Sequence, residues 1–138
     1  MLVPFNTDLR SSGADISFRI TSNPDDIKLI DDAIMLSLNQ PGYPASYKTQ
    51  EAIIITNNHI AYYANAEQKF HFQTVLATDF THAFVYVSFD RLERQGEDNI
   101  GFHQPGICTK NFGLTADGTL VNNSNIGIPG RYVFLLEC

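Results

Sequence analysis

Residues 70–90, FHFQTVLATDFTHAFVYVSFD, set His71, His82, Asp79 and Asp90 into an otherwise apolar stretch that breaks only at TDFTH. Imidazole beside carboxylate is the pairing used for general acid–base work and for zinc ligation. His59, His71, His82 and His103, joined by Asp79 or Cys108, would supply a zinc set if strands folded them together. No pair among them has a diagnostic ligand spacing, and a histidine near a strand end is commonly a half-exposed polar residue. Carboxylate catalysis needs two acids facing across a cleft. Asp79, Asp90, Glu93, Glu97 and Asp98 fall mostly in predicted turns, where solvated loop charge explains them. No serine nucleophile elbow, phosphate-cradling glycine loop or dinucleotide fingerprint is present. The expectation is therefore no catalysis, no metal and no cofactor.

The same stretch reads better as a hairpin. Phe70, Phe72, Thr74 and Leu76 alternate with His71, Gln73, Val75 and Ala77, and Ala83, Val85, Val87 and Phe89 alternate with His82, Phe84, Tyr86 and Ser88. Both faces meet apolar material, as expected of central strands covered on one face by a helix and on the other by loops or a second layer. Asp79 and Thr81 sit at the turn, where an aspartate bonds its own backbone.

The elements that must position this hairpin are legible on either side. In SNPDDIKLIDDAIMLSLNQPG, Asn23 caps, Pro24 fits the first helical position, and Asp25 and Asp26 place negative charge at the positive end of the dipole. Ile27, Ile30, Ile34 and Leu38 recur at helical spacing, joined by Leu29, Ala33 and Leu36, and Pro41–Gly42 stops the run. A helix is predicted near residues 24–38, its wide apolar face laid across a sheet. ADISFRIT alternates Ile16, Phe18 and Ile20 against Ser17 and Arg19, the pattern of a half-buried strand. AIIITNNHIAYYAN reads as two short strands interrupted at Asn57 and Asn58 by a turn or bulge. The opening residues supply two more strands, RYVFLLE closes the chain as another, and ADGT at 116–119 resembles a hairpin turn. One helix followed by several strands gives an α+β class, mostly antiparallel sheet, with no βα alternation.

At 138 residues the chain is one domain with room for a real core, and 43% hydrophobic against 17% charged residues is a globular balance. The formal net charge of −6, with nine unclustered Lys and Arg, argues against a nucleic-acid partner. No apolar run reaches the roughly 18–20 residues of a membrane-spanning helix, so this segment is not expected to insert into a membrane. The start, MLVPFNTDLR, lacks the basic, then apolar, pattern of a secretory signal, leaving an intracellular protein or a fragment of a longer multidomain chain.

FQTVLATDFTHAFVYVSF, then NIGF, then SNIGIPGRYVFLLE, together resemble the nidogen-type extracellular domain found in nidogens, tectorins and some membrane mucins. VPFNTDLRSSGADISFRITSNPDDI is similar to the opening of that family. The resemblance spans almost the whole chain. Family members often carry Trp where this chain has Phe5 and Tyr132, Gly where it has Phe80, and a Gly-Asp-rich loop where it has GFHQPGICT. The resemblance implies extracellular placement, secreted or in an ectodomain, and a non-enzymatic role in matrix assembly or adhesion. The implied partners are other extracellular proteins, neighbouring domains or further copies of the same module.

Three features are weighed within that setting. Cys108 and Cys138 are free thiols, or are oxidised to each other, or Cys138 pairs with a segment beyond the present end. Asn122, in the triplet NNS, is a glycan acceptor pattern in a polar loop. Arg131, in IPGRY, is either a partner-facing anchor or a strand-entry residue packing its stem over an aromatic ring, the turn chemistry of Pro129–Gly130 favouring the latter. The alternative to a protein-contact module is a carbohydrate-binding module with Tyr43, Tyr47, Tyr62 or Tyr63 stacked on sugar rings.

Overall fold

The computed structural model describes residues 2–3, 9–10, 13–62, 65–92, 99–104, 108–115 and 118–137. In chain order the elements are β1 (Leu2–Val3), β2 (Leu9–Arg10), β3 (Asp15–Thr21), α1 (Pro24–Met35), β4 (Glu51–Tyr62), β5 (Asn65–Thr78), β6 (Ala83–Leu92), β7 (Asn99–Gln104), β8 (Cys108–Thr115), a 3-10 turn (Gly118–Val121) and β9 (Arg131–Leu135). The α+β, mostly antiparallel expectation holds.

The main sheet runs β3-β4-β5-β6-β9, with β2 sharing with β3 the same edge of β4, and every pairing is antiparallel. A smaller sheet, β1-β7-β8, stands apart from it. The central strand is therefore β5, half of the hairpin. Its period-two alternation sends side chains into two separate cores. On one face Phe70 and Phe72 join Val85, Val87, Phe89 and Tyr132 under Leu120 of the 3-10 turn. Phe112 of β8 stacks flat on Phe134 there, with ring centroids 4.0 Å apart. On the other face Val75 and Ala77 join Phe84, Val133, Leu135 and Ile54 beneath Ile30, Ala33 and Ile34 of α1.

The helix begins as its sequence dictates. Asn23 Oδ1 accepts the Asp25 N–H at 2.9 Å, and Asp26 is clamped by Arg19 and by the Thr21 hydroxyl. It ends at Met35, earlier than the predicted 38. The N–H and hydroxyl of buried Ser37 both turn back to the Ile34 carbonyl, at 2.9 and 2.7 Å, tightening the chain into a turn before Pro41 is reached. The apolar stripe is also narrower than expected, because Leu29, Met35 and Leu36 are exposed.

Two further expectations are corrected. AIIITNNHIAYYAN holds one long strand, β4, and not two: the register slips between Asn57 and Ile60, so Asn58 and His59 together oppose His71. That is a β-bulge, with His59 in the left-handed region at φ 56°. The larger correction is β3. Its alternation is real, but Ile16, Phe18 and Ile20 are 51%, 75% and 63% exposed. They lie on the same face as Ile53 and Ile55 of β4, beyond the reach of Leu120 and Phe112. Residues 116–117 of the ADGT turn lie outside the described residues, and the chain resumes as the 3-10 turn.

Candidate functional site

The histidines and carboxylates of the hairpin separate into its two ends. At the turn, Asp79 Oδ1 accepts the N–H groups of Thr81 at 2.8 Å and His82 at 2.6 Å, and His82 Nδ1 lies 3.3 Å from Oδ2. The Thr78 hydroxyl closes the loop by accepting the Phe80 N–H and donating to the His82 carbonyl. The backbone N–H of His82, then that of Thr81 and the His82 ring, hold the Asp79 carboxyl below its usual range, against the opposing effect of burial. This carboxylate is occupied in shaping a turn. Phe80 bears the geometric consequence: it sits at φ 71°, 76% exposed.

At the other end the β4 bulge turns His59 edge-on to His71, ring centroids 4.5 Å apart. Seven residues of β5 separate His71 from the turn, ~23 Å at strand rise, so the two histidine groups do not share a site. Around His71, Thr56, Asn58, Gln73, Ser88 and Asp90 line a shallow polar cleft of about 200 Å³ where the sheet emerges from under α1. Gln73 donates to the Thr56 hydroxyl at 2.8 Å across its floor. Among the described residues no group of three or more His, Cys, Asp or Glu is gathered as a metal site. Nothing is described of the side chains of His103 and Cys108, and Glu93, Glu97, Asp98 and Cys138 lie outside the described residues.

The tyrosines divide likewise. Tyr43 and Tyr47 both meet the buried Phe84 ring edge-on, at 5.6 and 4.7 Å, and the Tyr43 hydroxyl accepts the Leu135 N–H at 3.2 Å. Burial pushes the Tyr47 phenol up to about 12, the Thr49 hydroxyl opposing it and the carboxylates of Asp79 and Asp31 adding to it. Both rings are half-buried and pack against the core. Tyr63 lies outside the described residues, and only the backbone of Tyr62 is described.

The loop SNIGIPG, by contrast, has a clear task. Ser124 Oγ donates to the Arg131 carbonyl at 2.7 Å and accepts the N–H groups of Ile126 and Ile128. The Asn125 amide donates to the Val133 carbonyl at 2.7 Å and accepts the Val133 N–H at 2.9 Å. With Tyr43 on Leu135, side chains thus replace a neighbouring strand along the outer edge of β9. Arg131 is half-buried at the strand entry, near enough to Tyr86 for its charge to oppose the upward push of burial on that phenol. Asn122 is exposed, its N–H bonded to the Thr119 carbonyl.

The described surface also carries exposed apolar side chains. Ile16, Phe18 and Ile20 project from β3 on one side of the sheet. On the other, Leu29, Leu36, Ile128 and Tyr86 line a groove of about 390 Å³ between α1 and the strands, with Arg19 and Asp26 at its rim. The alternation of ISFRI marks these side chains in the sequence, yet it marks burial equally well. No helix of the described residues is long and apolar enough to cross a membrane.

A family model for the nidogen-like domain matches residues 1–137. Searches of curated proteins and of solved structures return no match. The match covers nearly the whole chain, and the chain belongs to the nidogen-like domain family, a family of extracellular, non-catalytic modules.

Proposed function

We propose that this member of the nidogen-like family works by protein–protein contact in matrix assembly or cell adhesion, without catalysis. The observation that carries the reading is the exposure of Ile16, Phe18 and Ile20 side by side on one strand. Scattered exposed apolar residues are ordinary, whereas a contiguous row is the signature of a contact surface. The hairpin supports the same reading, since its polar groups are spent on a turn and a bulge. Asn122 carries a glycan in the secreted protein, Cys108 and Cys138 are oxidised in that setting, and Arg131 serves the entry of the last strand, with partner contact as its alternative role.

Binding of the protein to a panel of purified extracellular-matrix proteins, read by interferometry, tests the proposal. Saturable binding to at least one, weakened roughly tenfold by Phe18→Lys with an unchanged melting curve, is the expected result. Binding confined to a glycan array, with none to any protein or to the protein itself, would replace it with the carbohydrate reading.

A further inference from the structure

The two long edges of the main sheet are finished differently. On β9, residues 130 and 136 bond inward to β6 through Phe89 and Ala83, so residues 131, 133 and 135 face outward. Each of those outward residues is bonded to a side chain, Ser124, Asn125 or Tyr43. That edge cannot accept another strand. On the opposite edge β3 pairs with β4 alone among the described residues, and residues 15–20 are all exposed. An exposed edge strand carrying large apolar side chains is a template for strand addition unless charge, proline or a bulge blunts it. No proline lies in β3, and its register with β4 is unbroken.

We propose that β3 is the docking edge for a second copy of this chain, the two β3 strands pairing antiparallel about a two-fold axis through Ser17. This rests on the protein-contact reading above and names its partner. The sequence of the strand, DISFRIT, is what selects the occupant. With the axis at Ser17, Asp15 of each copy lies opposite Arg19 of the other, whose guanidinium also holds Asp26 of its own chain, and Ile16 lies opposite Phe18. Directly opposed charges of opposite sign stabilise an antiparallel pair, and aromatic against β-branched is a favoured apolar pair. Moving the axis one residue to Phe18 sets Asp15 against Thr21 and loses both charge pairs. Placing the axis at a residue, not between two, also keeps the exposed apolar faces of both copies on the same side, because strand side chains alternate. The apolar row then runs from Ile53 and Ile55 of one copy, across both β3 strands, to the same residues of the other.

A two-fold pairing consumes the open edge and therefore stops at the dimer. The interface from Gly13 to Thr21 buries on the order of 1,000 Å², the low end of specific interfaces. The dimer is accordingly a reversible one.

Sedimentation equilibrium of the full chain from about 1 to 200 μM is the first test, with the mass expected to climb toward twice the monomer value. Phe18→Lys, at an exposed position, should shift that transition at least roughly tenfold in concentration without moving the melting curve. Asp15→Lys and Arg19→Glu should each weaken self-association, and an equimolar mixture of the two should restore it, since the mixed dimer has one charge pair as in the parent and one with its signs exchanged. Ser17→Cys should give a disulfide-linked dimer under mild oxidation, because residues on the axis lie about 4.5–5.5 Å apart, within bridging distance. Phe18→Cys should not, because its own copy would be displaced diagonally by about 7–8 Å, beyond that reach. A parent protein monomeric throughout the range overturns the proposal, as does equal cross-linking at 17 and 18 or a mixture that fails to associate. If the monomer nevertheless binds a purified matrix protein through Phe18, the broader contact function stands and only the second copy is wrong.

Discussion

Phe80 shows how a single residue can be at odds with its own backbone. A bulky side chain at φ 71° is strained, and this one is largely in water, where its ring recovers little by packing. Phe80→Gly should therefore be neutral or stabilise the protein by about 0.5–1 kcal/mol, read from urea midpoints. The carboxylates at Asp26 and Asp79 make a second residue-scale prediction. Hydrogen bonds from Arg19 and then Thr21 hold Asp26 at about 2, against an ordinary value of 3.8, and the His82 N–H holds Asp79 low as well. A folded-state value below the unfolded one means that the unfolded chain takes up protons first as acid is added. The Asp26 contribution is present above pH 3.8 and is lost as pH falls toward 2, and the Asp79 contribution is lost in the same direction. Urea midpoints measured across that window should fall steeply in the parent and less steeply in Asp26→Asn and Asp79→Asn.

At the scale of elements, the interesting economy is the edge of β9. One loop supplies the hydrogen bonds of a missing strand, and Gly130 lets it do so. Gly130 sits at φ 74°, its N–H bonded to the Asn123 carbonyl at 2.8 Å, and a methyl group there would come within 2.5 Å of the Phe89 carbonyl oxygen. Gly130→Ala should cost about 3 kcal/mol or more, combining a left-handed backbone with a clash against main chain, and should lower the thermal midpoint accordingly. Asn125→Ala removes both bonds to Val133 at once and leaves the N–H and carbonyl of a buried residue without these partners. It should cost about 2–3 kcal/mol in urea unfolding. The sequence showed this stretch as turn residues before a strand, because glycine, proline and asparagine announce turns. That Ser124 and Asn125 would bond along the strand edge was hidden, since nothing local specifies the register between a loop and the strand after it. The β4 bulge was half legible: Asn57 and Asn58 flagged an irregularity, and only pairing with β5 made it one residue of slip inside a continuous strand.

The whole molecule is a sheet with two cores, one under α1 and one under the 3-10 turn and the smaller sheet, and a margin that neither reaches. The formal charge of −6 adds repulsion between copies at neutral pH, and near the isoelectric point of about 5.0 that repulsion vanishes. Solubility should be lowest around pH 5, with Phe18→Lys more soluble there than the parent, as measured by light scattering. The amino-acid sequence by itself determined the α+β class, the capped helix, the Asp79 turn and the hairpin at the centre, since period, caps and turn chemistry are local signals. It also carried the family resemblance that the family match to residues 1–137 bears out. Only the tertiary structure decided which alternating faces are covered. Ile16, Phe18 and Ile20 have the same pattern as Phe70, Phe72 and Leu76, and differ only in what lies above them: Leu120 and Phe112 reach the core side of the sheet and leave β3 in water. Burial is a property of the neighbour as much as of the strand, and a strand's own sequence does not contain its neighbour.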